Sequence, residues 1–192
     1  MSGILVAGIG NIFNGDDAFG VEVARVLSRR HLPECVRVVD FGIRGIDLTY
    51  ALLDGYDAVL LVDAAQTGEP PGAVSVIEPE HSTEDTSDIF QQPMLSPHEL
   101  DPASVLRMSR VLGSPCRRVI LVACEPYTFG GDEGVMGLSP VVAATIEPTA
   151  KLVEEIIANL ISEAEMETCD LAPNSGDVHD EYAGTAETAK IA

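Results

Sequence analysis

The sequence predicts an α/β fold, a three-layer α/β/α sandwich around a mostly parallel five-stranded twisted sheet. Two observations carry that expectation. Short apolar runs of strand length at residues 4–7, 36–39, 58–62 and 119–123 alternate with segments whose apolar residues recur at helical spacing, the pattern of a parallel sheet covered on both faces. The chain of 192 residues is 46% hydrophobic but only 5% aromatic, enough for one core built from Val, Leu, Ile and Ala.

Residues 4–7 read as a buried strand running into Gly8-Ile9-Gly10, and 11–17 as a turn-rich loop around Asn14-Gly15. From 18 to 30, Phe19, Val23, Val26 and Leu27 make one helical stripe, with Asp16 or Asp17 placed to cap its first turn. Residues 36–39 form a second strand closed by Asp40, after which Gly42 and Gly45 lead into a helix through Leu53. Residues 58–62 are five consecutive apolar positions ending at Asp63, the signature of a central strand. Residues 73–77 alternate after Pro70-Pro71-Gly72 and fit a fourth strand, a candidate antiparallel edge.

The stretch 78–95 is polar and irregular, a length at which loops of compact domains are functional or disordered. A helix over 101–112, a strand over 119–123, a Gly-rich loop over 125–137 and a long helix over 139–163 complete the domain. Pro148 must start, kink or divide that last helix, since it lacks an N–H and crowds the preceding turn. A single domain is therefore expected over 1–162. Residues 163–192 hold eight acids against one lysine without apolar periodicity and are expected to be a disordered acidic tail, dispensable for folding.

The chain carries 31 acids against 11 Lys plus Arg, a formal net charge of -20. Such a surface repels phosphate backbones and anionic lipid, which excludes nucleic acid and membrane as expected partners. The cysteines show no C-x-x-C pair, and Cys124 sits in an apolar run where a thiol packs as a small hydrophobe with a raised pKa. With no basic leader and no apolar run of membrane-spanning length, the expected compartment is the cytoplasm.

In this architecture ligands bind beyond the carboxyl ends of the strands, where Asp17, Asp40, Asp63 and His98 fall. Each has a bland reading: Asp17 a helix cap, Asp63 a solvated strand end, His98 a structural histidine at a helix start. Yet the pair Asp16-Asp17 holds one acid more than a cap requires. Two carboxylates and an imidazole at one sheet edge make an incomplete oxygen/nitrogen set that leaves positions for an incoming ligand, and imidazole suits nickel, zinc, copper or iron. The rival reading of Gly8-Ile9-Gly10 is a dinucleotide-binding turn with Asp40 as the ribose acid. It is weakened by Phe13 in place of the third glycine and by acids where a pyrophosphate needs positive potential.

Gly8-Ile9-Gly10-Asn11-Ile12-Phe13-Asn14-Gly15-Asp16-Asp17-Ala18-Phe19-Gly20, then Val62-Asp63-Ala64, then Ser96-Pro97-His98-Glu99-Leu100, resembles the hydrogenase maturation protease family in motif, order and spacing over about residues 3 to 160. The resemblance implies a cytoplasmic, aspartyl-type endopeptidase that removes a C-terminal extension from the precursor of a [NiFe] hydrogenase large subunit after nickel insertion. It also implies that Asp17, Asp63 and His98 contact nickel, which the substrate carries and the protease holds only transiently. Two features depart from the family pattern. Asp17 stands where some members carry Glu, and Asp40-Phe41-Gly42-Ile43-Arg44-Gly45 replaces D-G-G-T-x-G, which points to a different substrate subgroup. Neither the resemblance nor the residues single out the peptide-cleaving group. Asp17 and Asp40 are the candidates for a catalytic carboxylate, and a non-catalytic nickel-binding chaperone would use the same ligands.

Overall fold

The computed structural model describes residues 3–78, 102–114, 116, 118–131 and 134–170. In chain order they form β1 (Ile4–Ile9), a 3-10 turn (Gly15–Ala18), α1 (Phe19–Leu27), β2 (Val36–Gly42) and α2 (Gly45–Ala51), which tightens into a 3-10 turn at Leu52–Asp54. There follow β3 (Ala58–Ala64), β4 (Val74–Ile77), α3 (Pro102–Val111), β5 (Arg118–Cys124), α4 (Pro140–Ala143) and α5 (Ile146–Asp170). The sheet order is β2-β1-β3-β5-β4. All neighbours run parallel except β4, which pairs antiparallel with β5 at the edge.

Strand alternation divides the apolar residues between two cores, because successive side chains leave opposite faces of a sheet. Ile4 and Val6, Leu60 and Val62, and Ile120 and Val122 pack with Phe19, Val23 and Leu27 of α1 and Val153 and Ile157 of α5. Leu5 and Ala7, Val59 and Leu61, and Val119 pack on the other face with Leu48 of α2, Leu52 after it and Val105 of α3. These faces are the outer layers of the three-layer sandwich. Arg30, just beyond α1, pairs with Glu147 and Glu154 of α5 at 2.5 Å each and ties the two helices on the first face.

Several boundaries differ from the sequence-based expectation. Asp40 and Asp63 do not terminate their strands but lie within them, opposite Gly8 and Ala123, because ladder pairing extends past the apolar runs. Neither Asp16 nor Asp17 caps α1: a 3-10 turn precedes that helix, and no side chain caps either segment. The expected helix over 139–163 divides, with Ser139 capping α4 and Pro148 in the first turn of α5, where its missing N–H costs little. That helix also continues past the domain boundary expected at 162, through Asp170. Nothing in Ala164-Glu165-Met166 breaks a helix, and Glu163 pairs with Arg118 at 2.5 Å. The remainder of the expected tail, 171–192, lies outside the described residues.

Two devices bring the loops of the carboxyl edge into place. At Gly20 the first turn of α1 touches the sheet backbone: a Cβ there would lie 2.0 Å from the Val62 carbonyl oxygen and 2.4 Å from that of Ile9. Glu125, immediately after β5, reaches back to the loop that follows β3. Its Oε2 accepts from the Thr67 N–H at 2.6 Å, the Thr67 hydroxyl at 2.8 Å and the Gly68 N–H at 3.0 Å. These bonds from Thr67 and its neighbours hold the Glu125 carboxyl below the usual glutamate range.

Replacing Gly20 by alanine should destabilise the protein by about 3 kcal/mol or more, the upper end for an overpacked core, because rigid backbone faces the new methyl. Denaturant titration checks this, and a loss under about 1 kcal/mol would mean that α1 can lift without consequence. Glu125 binds fewer protons in the fold than in the unfolded chain, so its contribution is fully present above the ordinary value of 4.5 and fades as the pH falls through the lower folded value. Glu125→Gln should therefore melt below the parent protein at neutral pH, with the gap closing in acid.

Candidate active site at the carboxyl edge of the sheet

The loop joining β1 to α1 crosses the carboxyl ends of the central strands. Gly10 makes this path possible. Its φ of +131° is open only to glycine, and a Cβ would lie 1.7 Å from the Asp17 carbonyl oxygen. The loop then closes on itself: Asp17 Oδ2 accepts from the Asn11 N–H at 3.1 Å and from the Asn14 side-chain amide at 3.5 Å, while the Phe13 N–H donates to Asn11 Oδ1 at 3.0 Å. Amides that would cradle a pyrophosphate in a dinucleotide-binding turn are thus already taken, and an acid sits among them. This removes the physical basis of the nucleotide reading.

Asp17 is a half-buried carboxylate whose pKa burial pushes above the usual aspartate value, with the bonds from Asn14 and Asn11 opposing that shift. The 3-10 turn that bears it packs against β3, the strand that bears Asp63. Asp63 is buried, and its Oδ1 accepts from the N–H of Ala64 at 2.9 Å. By alternation Asp63 shares the face of Val59 and Leu61, the side of α2 and α3.

Asp40 is placed differently. It shares the face of Val36 and Val38, the α1 side, and its Oδ2 lies 3.9 Å from Arg25 Nε of that helix. Its side chain is 42% exposed, and its backbone carbonyl accepts from the Arg44 guanidinium. Arg44 also donates from Nε to the Phe41 carbonyl at 3.1 Å, so the segment that departs from the family pattern is stapled by its own arginine, next to Ile43, which stands at the threonine position of that pattern. The structure thus brings the element carrying Asp17 against the strand carrying Asp63, and sets Asp40 on the opposite face of the sheet. His98 lies outside the described residues. Among the described residues no three His, Cys, Asp or Glu side chains form a metal-binding group.

Two acids prominent in the structure were not recognised as organisers from sequence. Asp16 is fully buried and accepts four hydrogen bonds, from the N–H groups of Tyr127, Thr128 and Ser139 and from the Ser139 hydroxyl, at 2.6 to 3.0 Å. Glu125, described above, holds the loop after β3. The available signals were an acid directly after an apolar strand for Glu125 and a second acid beside Asp17 for Asp16, but the donors are more than fifty residues away in sequence. Cys124 is buried within β5, and burial pushes its thiol pKa up, as expected for a packed rather than nucleophilic cysteine.

Comparison with known proteins agrees with this architecture. A family model described as hydrogenase maturation protease matches residues 21–156. The hydrogenase 2 maturation protease of Escherichia coli (strain K12) is 32% identical over 159 residues, which cover 82% of this chain and 90% of that protein. Among solved structures, the hydrogenase maturating endopeptidase HybD from E. coli superimposes with a TM-score of 0.66 at 30% identity, covering 82% of this chain and 93% of that one. A hydrogenase 2 maturation peptidase from Thaumarchaeota archaeon SCGC_AB-539-E09 gives a TM-score of 0.61 at 32% identity, covering 81% and 98% respectively. No helix among the described residues is long and apolar enough to cross a membrane. A family match over most of the domain, together with a shared fold and relatives spanned nearly end to end, means that the chain belongs to the hydrogenase maturation protease family and is a peptidase.

Proposed function

We propose that the protein is a cytoplasmic endopeptidase that removes the C-terminal extension from a nickel-loaded [NiFe] hydrogenase large-subunit precursor. Asp17, Asp63 and His98 contact the nickel carried by that substrate. The observation that carries the reading is Asp17: a carboxylate held half-buried, with its pKa raised by burial, on a loop shaped around it and packed against the strand of Asp63. A group kept at such a disadvantage, with no ion pair to it among the described residues, is a functional-site signature. A cation arriving with the substrate supplies the missing charge.

The chemistry requires little of the protease beyond positioning. Once the precursor's metal is seated, the scissile peptide is held in register, which converts attack by water into an effectively intramolecular event. A carboxylate outside the ligand set takes the proton of the attacking water and returns it to the leaving amine. Asp40 is the exposed candidate, with Arg25 Nε 3.9 Å away. Because Asp40 and Asp63 leave opposite faces of the sheet, the peptide would run over the sheet edge between them. A precursor lacking nickel offers nothing for the ligands to grip, and selectivity follows from that.

The reading is tested by incubating the purified protein with nickel-loaded and nickel-free precursor and weighing the large subunit by mass spectrometry. Shortening of the nickel-loaded form alone is expected, and an unchanged mass would leave a non-catalytic nickel-binding role. His98→Ala should abolish shortening while leaving the melting temperature nearly unchanged. Activity near that of the parent would reject the ligand assignment. If His98 is structural instead, the substitution costs something like 1–3 kcal/mol and activity falls in proportion.

Asp17→Asn should separate stability from activity in the opposite sense. The folded state favours the protonated carboxyl, so the cost of its charge is present at neutral pH and disappears below the ordinary aspartate value of 3.8. The variant is therefore expected to melt higher than the parent at neutral pH, to lose that advantage in acid, and to process no precursor. A lower melting temperature at neutral pH would show that the bonds to Asn11 and Asn14 outweigh the burial.

A further inference from the structure

We propose that Asp16 is a positioning residue of this site, one that sets the place of Asp17 by locking two loops together and touches no substrate itself. The inference rests on the hydrolytic reading above and extends it to a residue outside the ligand set. Asp16 lies completely buried one residue before Asp17. Its Oδ2 accepts from the Tyr127 N–H at 2.9 Å, the Thr128 N–H at 3.0 Å and the Ser139 hydroxyl at 2.9 Å, and its Oδ1 accepts from the Ser139 N–H at 2.6 Å. A carboxylate that already accepts four hydrogen bonds has little capacity left to ligate a metal. What it controls is geometry.

The lock is reinforced by main-chain bonds between the same two segments. The Asp16 N–H donates to the Thr128 carbonyl at 3.0 Å, the Gly15 N–H to the Val135 carbonyl at 2.6 Å, and the Val135 N–H to the Phe13 carbonyl at 3.0 Å, around a parallel bridge between Asn14 and Val135. The β1–α1 loop, which carries Asp17, is thus zippered along 13–16 to the Gly-rich loop that follows β5. Ser139, the far end of the lock, is also the N-cap of α4, with its hydroxyl accepting from the Val142 N–H at 3.5 Å. The position of Asp17 is thereby referenced to the start of the C-terminal helices rather than to its own short loop. Side chains placed to within a fraction of an ångström by such supporting bonds are what a preorganised site requires.

Asp16→Asn tests this, because an amide keeps the size but turns an NH2 group toward N–H donors and leaves at least one of them unpaired. For cleavage of nickel-loaded precursor, kcat/KM is expected to fall roughly 10–100-fold, the scale of a small misplacement at a reacting site. The fall should be carried by KM, since the contact made by Asp17 with the metal is already present in the bound ground state. Amide hydrogen exchange at Gly15, Thr128 and Val135 should accelerate while the core of β1 and β3 stays protected. A merely structural role would instead lower the folded fraction, reducing apparent kcat with KM unchanged and raising exchange everywhere. That pattern, or unaltered kinetics, overturns the proposal. Should Asp16→Asn not fold, Ser139→Ala removes one of the four donors and should give the same pattern in smaller measure, while unchanged KM and loop exchange in Ser139→Ala would overturn it. If the parent protein fails to shorten the precursor, the hydrolytic reading falls, whereas the exchange comparison still tests whether Asp16 locks the loops.

Discussion

The closeness with which α1 lies on the sheet governs much of what surrounds it. Gly20 brings the first turn of that helix into backbone contact with Ile9 and Val62, and at Gly8 an added Cβ would lie 2.4 Å from the Gly20 carbonyl oxygen. Two residues without side chains facing one another let the helix descend onto β1 and β3, as close helix–strand packing in α/β folds requires. With the helix so low, the ten-residue path from Ile9 to Phe19 cannot arch away into solvent. It is pressed across the strand ends, and Asp17 arrives beside β3 as a consequence.

The acids of the carboxyl edge divide into two kinds by how well they are satisfied. Asp16 and Glu125 each gather several donors from distant segments and use their charge to hold loops in place. Their bonds are charge-assisted, so each gains more than a neutral contact would. Asp17 has fewer and longer bonds and is partly desolvated, and Asp40 stands half in water beside one arginine. The braced acids make the unbraced one possible: a carboxylate can be kept at a disadvantage only where the surrounding structure over-determines its position.

Outside the site the acidic surface has little structural consequence. Ion pairs such as those of Arg118 with Glu78 and Glu163 are exposed and worth at most about 1 kcal/mol each, so two apolar cores, not the surface charges, hold the fold. Net negative charge bears instead on partners, repelling polyanions.

The sequence by itself determined the class of fold, because apolar runs of strand length and helical stripes are local patterns. Residues 58–62 read as a central strand, and alternation after a Pro-Pro-Gly turn made 73–77 a candidate antiparallel edge, which β4 is. Motif order also pointed to the family. What only the tertiary structure decided was the placement and hydrogen-bond partners of each acid. Asp16 and Asp17 are adjacent and chemically identical, and local sequence offered one of them as a helix cap and left the other spare, whereas the fold caps the helix with neither, buries Asp16 among donors from 127–139 and leaves Asp17 half-buried. Likewise Asp40 and Asp63 both follow apolar runs, yet strand alternation sends them to opposite faces. Hydrogen-bond partners more than a hundred residues apart leave no trace in local periodicity, since they are chosen by which loops the sheet order brings together.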